Sequence, residues 1–162
     1  MATTREFSIT SKVYGTIAGL ENSVEARLTP ITIVALHGEG RSASSAVWSS
    51  ITEPLGAAGV RVVAVDGPGY GRSGGSRSVY RDDPVPFVRH VLDLLGLSGG
   101  VILVGRAIGG RAALMAAAAD KRVAKVVVAH PVLPPKDTLR LVRQKVLLTW
   151  ARDDTQGQVK LT

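Results

Sequence analysis

Residues 101–119 read VILVGRAIGGRAALMAAAA. Val101 to Val104 are four consecutive apolar residues, the pattern of a short strand covered on both faces. Glycines at 105, 109 and 110 then supply a bend, and Arg111 to Ala119 consists almost wholly of strong helix formers. A strand, a sharp turn and a helix are therefore expected in immediate succession.

The same alternation repeats on either side. Ile31 to Leu36 is an unbroken, β-branched-rich run that ends in His37-Gly38-Glu39-Gly40. Ser42 or Ser44 then caps a helix carrying Val47, Trp48, Ile51 and Leu55 to about Ala58, closed by Gly59. Val60 to Val65 is the next strand, running into the glycine-dense loop Asp66 to Gly75. Between Pro84 and Leu97 the apolar residues Val85, Phe87, Val88, Val91, Leu92, Leu94 and Leu95 recur at helical spacing. Downstream come a strand at Val123 to Ala129, the pair His130-Pro131, a short helix near Asp137 to Arg143, and a strand at Val146 to Trp150. At the amino end, Glu6 to Ile17 alternates as one or two edge strands and Gly19 to Pro30 reads as polar connection. The whole predicts a single α/β domain over residues 1–162, a mostly parallel sheet with helices on both faces, whose functional groups gather at the carboxyl ends of the strands.

Composition narrows the function. The chain has 162 residues, 45% of them hydrophobic, enough for one ordinary core. Twenty Lys and Arg against thirteen Asp and Glu give a net charge of +7, but the basic residues are scattered and only 4% of residues are aromatic, so no nucleic-acid partner is expected. The absence of cysteine excludes disulfides and thiolate chemistry. No apolar run reaches the roughly 20 residues of a membrane helix, and the first residues lack the apolar centre of a secretory signal. The expectation is a cytoplasmic protein with no membrane partner.

Four post-strand segments carry a family pattern: strand-His37-Gly38, then Asp66-x-Pro68-Gly69-x-Gly71-x-Ser73, then Gly105-Arg106-Ala107-Ile108-Gly109, then strand-Trp150-x-x-Asp153-Asp154. In that order and spacing the chain resembles the α/β-hydrolase superfamily, and the third segment follows its Gly-x-Ser-x-Gly nucleophile elbow with alanine at the serine position. The short connection between Ala129 and Trp150 leaves no room for a cap domain, so the likeness is to small capless serine hydrolases, from about residue 5 onward. The resemblance implies that Ala107 occupies the nucleophile position, that Asp154 matches the acid better than Asp153, and that the backbone N–H groups of Glu39 and Ile108 form the oxyanion hole. It also implies a catalytic histidine beyond one further strand and helix, whereas this sequence ends at Thr162. The expected fold is therefore an α/β-hydrolase fold that stops after the acid-bearing strand.

Of the histidines, His37 is expected to brace its loop, His90 to be structural, and His130, at a strand's carboxyl end, to be the one able to touch a ligand. His37, Gly38, Arg106 and His130 are the expected pocket residues. The wide spacing of the histidines predicts no metal site, and no cofactor is expected. Three functions follow. The first is a degenerate hydrolase-fold protein that binds a small ester or amide ligand without turnover, since losing such a serine costs on the order of 10⁶ in turnover. The second is an ester or amide hydrolase represented by an incomplete or altered copy. The third is an anion binder at the Gly105 to Gly110 turn, using helix N–H groups, Arg106 and Arg111. The strand Val146 to Trp150 is expected to be an open apolar edge prone to self-association or partner binding.

Overall fold

The computed structural model describes residues 2–24 and 26–152. Within them seven strands, β1 (Thr4–Ser11), β2 (Gly15–Asn22), β3 (Thr32–Leu36), β4 (Arg61–Val65), β5 (Val101–Arg106), β6 (Val123–Ala129) and β7 (Lys145–Thr149), form one sheet in the order β1-β2-β4-β3-β5-β6-β7. β1 and β2 are an antiparallel hairpin, β2 is antiparallel to β4, and every pairing from β4 to β7 is parallel. Crossover connections carry a 3-10 turn (Ser45–Trp48) that leads into α1 (Ser49–Ala57), then α2 (Arg77–Asp82), α3 (Val85–Leu94), α4 (Ile108–Ala119) and α5 (Lys136–Leu141).

Helices lie on both faces, and the hairpin shows it. Thr4 hydrogen-bonds Thr52 of α1 while Ser11 hydrogen-bonds His90 of α3. Those two strand residues differ by an odd number of positions and so point to opposite faces. The central strands are the near-continuous apolar runs that burial on both faces demands: Val62 to Val65, Val34 to Leu36 and Leu103 are all 1% exposed or less. α4 lies across β3, β5 and β6 with Ala112, Ala113, Ala116 and Ala117 buried; methyl groups there let the helix approach the sheet closely.

Two local expectations need correction, and one helix was not foreseen. The segment after Gly19 is not polar connection, because β2 continues to Asn22. Its polar residues are sheet partners: Glu21 pairs with Arg61 at 2.8 Å, and Asn22 donates to the carbonyls of Thr52 and Val60 and accepts from the N–H of Val62. A helix, α2, forms in the polar stretch after Gly75, capped by Ser76 and anchored by Tyr80, which is 1% exposed. Finally, α4 begins at Ile108 rather than Arg111, with Gly109 and Gly110 inside it. A Cβ on Gly109 would fall on the main-chain carbonyls of Leu36 and His37, and one on Gly105 would fall on the carbonyl of Gly109. These glycines are set by close approach.

Candidate active site

The chain leaves β5 through Arg106 and enters α4 at Ile108, so the whole reversal falls on Ala107. Its backbone has φ 51° and ψ −118°, a combination that costs an ordinary residue on the order of 1–3 kcal/mol and persists only where surroundings impose it. Main-chain bonds do the imposing. The Ala107 N–H donates to the carbonyl of Ala129 at 3.2 Å, and the Ala107 carbonyl accepts from the N–H groups of Arg111 and Val132, both at 3.1 Å. None of them involves the side chain of residue 107.

Next to this turn lies a cavity of about 510 Å³ lined by His37, Gly38, Glu39, Gly40, Ser42, Ala43, Ser44, Ala46, Val47, Arg106 and Ala107. The loop after β3 and the turn after β5 abut closely, since a Cβ built on Gly38 would sit 3.2 Å from the Ala107 methyl. The N–H of Ile108 belongs to the first turn of α4 and has no intrahelical acceptor, while Glu39 lies along the cavity wall. Ser42, Ser44 and Val47 line the cavity, a role the sequence did not suggest for them. The serine-rich segment after Gly40 was the signal, but it read only as a helix cap, which Ser44 indeed provides to Ala46.

His37 is a brace. Its Nε2 accepts the N–H of Gly67 at 2.9 Å, which places the ring proton on Nδ1, where it donates to the Gly38 carbonyl at 2.7 Å. The residue is 1% exposed, its ring packs edge-on against Tyr70 and tilted against Tyr80, and the Tyr80 hydroxyl donates to the His37 carbonyl at 2.7 Å. Burial pushes its pKa below the usual histidine value, against smaller raising effects from the Gly38 bond and the Asp66 charge. Asp66 is a second brace: its carboxylate accepts from the N–H groups of Ser45 and Arg72, and its own carbonyl accepts the Ser73 hydroxyl. Tyr80, which the sequence did not flag, holds this layer up from beneath.

The remaining expected residues separate. Arg106 is exposed and lines the cavity. His130 is not among the lining residues; it takes a left-handed backbone (φ 47°), donates its N–H to the Thr149 carbonyl at 2.9 Å, and accepts the N–H of Ala151 on Nδ1 at 3.4 Å. Its ring bonds the segment after β7. Asp153 and Asp154 lie outside the described residues. Among the described residues, no cluster of three or more metal-ligating side chains occurs, and no helix is long and apolar enough to cross a membrane.

Comparison with known proteins places these features. The family model described as alpha/beta hydrolase fold matches residues 31–155. The chain is 37% identical over 123 residues to 2-hydroxy-6-oxononadienedioate/2-hydroxy-6-oxononatrienedioate hydrolase 2 of Pseudomonas putida, covering 68% of this chain and 43% of that protein. It is 38% identical over 105 residues to hydrolase 1 of the same description from Dechloromonas aromatica, covering 59% and 34% respectively. The chain thus spans less than half the length of these curated relatives. Among solved structures, a predicted CIB-like hydrolase from Thermoplasma acidophilum superposes with a TM-score of 0.83 at 22% identity, covering 98% of this chain and 79% of that one. An alpha-beta serine hydrolase homologue from Coxiella burnetii superposes at 0.68 with 17% identity, covering 90% and 73%. At those identities the structural likeness speaks for the fold.

Proposed function

Since this chain belongs to the α/β-hydrolase fold family, we propose that the cavity beside Ala107 is a hydrolase-type site, which holds a carbonyl compound against the backbone N–H groups of Glu39 and Ile108. The carrying observation is the turn itself, residue 107 at φ 51° and ψ −118° on the cavity wall. A backbone of that shape aims a side chain up and away from the strand that precedes it. The relatives named above are hydrolases of a hydroxy-oxo-dioate, a ligand with a ketone for the N–H groups and carboxylates for an arginine. Arg106, exposed at the cavity, is the carboxylate partner in this reading.

Covalent acyl transfer through residue 107 needs a hydroxyl, and alanine has none. The hydrolytic reading is therefore of an altered copy of a hydrolase. A second reading, binding without turnover, rests on Ala107 alone. Titration with 2-hydroxy-6-oxononadienedioate followed by calorimetry tests the site. We expect saturable binding by the parent chain and its loss in Gly38→Val, whose side chain fills the space between the two loops. Absence of saturable binding by a folded parent refutes the proposal. An acyl burst in Ala107→Ser, absent from the parent, favours the hydrolase reading; unchanged binding with no turnover in either favours the second.

A further inference from the structure

Tyr80 of α2 is 1% exposed, and its hydroxyl donates to the His37 carbonyl at 2.7 Å. Its ring lies against the main chain at Gly67, where an added Cβ would fall 2.8 Å from a ring carbon. The Gly67 N–H is the group that donates to Nε2 of His37. One buried side chain therefore touches both sides of the link between the loop after β3 and the loop after β4. Burial pushes the Tyr80 pKa up, so the hydroxyl keeps the proton it gives to the carbonyl.

These contacts fix two successive peptide groups. The first, between His37 and Gly38, has its carbonyl held by the Tyr80 hydroxyl. The second, between Gly38 and Glu39, has its carbonyl held by Nδ1–H of His37 at 2.7 Å. Both peptides are trans, so the Glu39 N–H points opposite to the Gly38 carbonyl, away from the imidazole. That N–H has no acceptor among the described residues, and Glu39 lines the cavity. Gly38 is the joint between the two peptide planes. Removing the hydroxyl would take the donor from a buried carbonyl, an unfavourable state that rotation of the peptide toward the cavity relieves. Such a rotation acts through the Gly38 joint and turns the Glu39 N–H with it.

We propose that Tyr80 is a positioning residue: acting through His37, it sets the direction of the Glu39 N–H and so makes the cavity select ligands with a carbonyl oxygen at that point. The selection rests on the hydrolase-type reading of the cavity given above; the orientation of the N–H does not.

Backbone amide NMR relaxation tests the orientation without a ligand. In the parent chain the Glu39 N–H is expected to be as ordered as rigid backbone, with an order parameter of about 0.85. Tyr80→Phe keeps the ring and removes only the hydroxyl. It is expected to lower the Glu39 value below about 0.6 while Ile108, held in α4, stays unchanged, with folding followed by circular dichroism. A parent whose Glu39 N–H already lies below about 0.6 overturns the proposal whether or not the variant folds. A folded Tyr80→Phe with an unmoved Glu39 N–H overturns it as well. Calorimetry with 2-hydroxy-6-oxononadienedioate and its 6-deoxo analogue, which lacks the ketone oxygen, tests the selection. Tyr80→Phe is expected to weaken the ketone about tenfold, the worth of one hydrogen bond, and to leave the analogue unchanged. Equal weakening of both ligands marks a merely structural role and overturns the selection. A parent that binds neither ligand refutes the hydrolase-type reading, and the amide order parameters then decide the positioning role by themselves.

Discussion

The two edges of this sheet are built on opposite principles. β1 is eight residues long, pairs with β2 along its whole length, and is tied inward by side chains: Thr4 to Thr52, Ser11 to His90, and Arg5 and Glu6 in ion pairs. β7 is five residues long, wholly exposed, and carries three consecutive aliphatic residues with one lysine. Charge and long-range hydrogen bonds blunt the first edge against further pairing. The first edge is finished with polar contacts, and the second is apolar among the described residues.

Measurements on each edge can break this contrast. The largest effect is expected on the hairpin side, where Ile17 of β2 is 1% exposed: Ile17→Ala should lower unfolding free energy by about 2–5 kcal/mol in denaturant titration. On the β7 side, the main polar anchor is at the start of β6. The Asp120 carboxylate accepts from the Arg122 guanidinium at 2.7 Å and from the Arg122 N–H at 3.0 Å. Asp120→Asn should cost about 1–3 kcal/mol. Leu147→Ala should change stability by no more than about 0.5 kcal/mol. A cost comparable to that of Ile17→Ala would show that β7 is core and end the comparison.

Acidity separates the centre of the sheet from its β6 side. His37, beside β4, has its pKa pushed below the ordinary value of 6.5 by burial. The unfolded chain therefore takes up the proton first, so stability falls as pH drops through that value and levels once the folded form is protonated too. His37→Asn should flatten this slope in unfolding measurements, and amide exchange at Gly67 should rise over the same window. The Arg122 hydrogen bond holds Asp120 below the ordinary carboxylate value of 3.8. Its contribution is present at neutral pH and is lost only at stronger acidity, as that carboxylate takes up its proton. The centre of the sheet should loosen in mild acid and the β6 side only in strong acid.

How far the sequence could be read follows the same physical line. β3, β4 and β5 were legible because burial on both faces writes itself as unbroken apolar runs, and β6 because its run is broken only by Lys125. The end of β2 was not: Glu21 and Asn22 look like loop residues until Arg61, Thr52 and Val60 are placed beside them. α2 escaped notice because its stretch is polar and a single residue, Tyr80, holds it down. At the site, the elbow at Ala107 and the brace at His37 were legible from spacing. The bonding of His130 to the end of β7 and the segment after it was not, since that depends on where Thr149 and Ala151 lie. The cavity-lining role of Ser42 and Val47 likewise appears only when the loop after β3 folds against Ala107.

Because the main-chain bonds at the bend do not involve the side chain of residue 107, the bend is indifferent to the small group mounted on it. A sulfhydryl installed there by Ala107→Cys would stand at the amino terminus of α4, where the helix field favours the thiolate. In a polypeptide otherwise free of sulfhydryls, that makes the bend a ready anchorage for one spectroscopic label or tethered ligand.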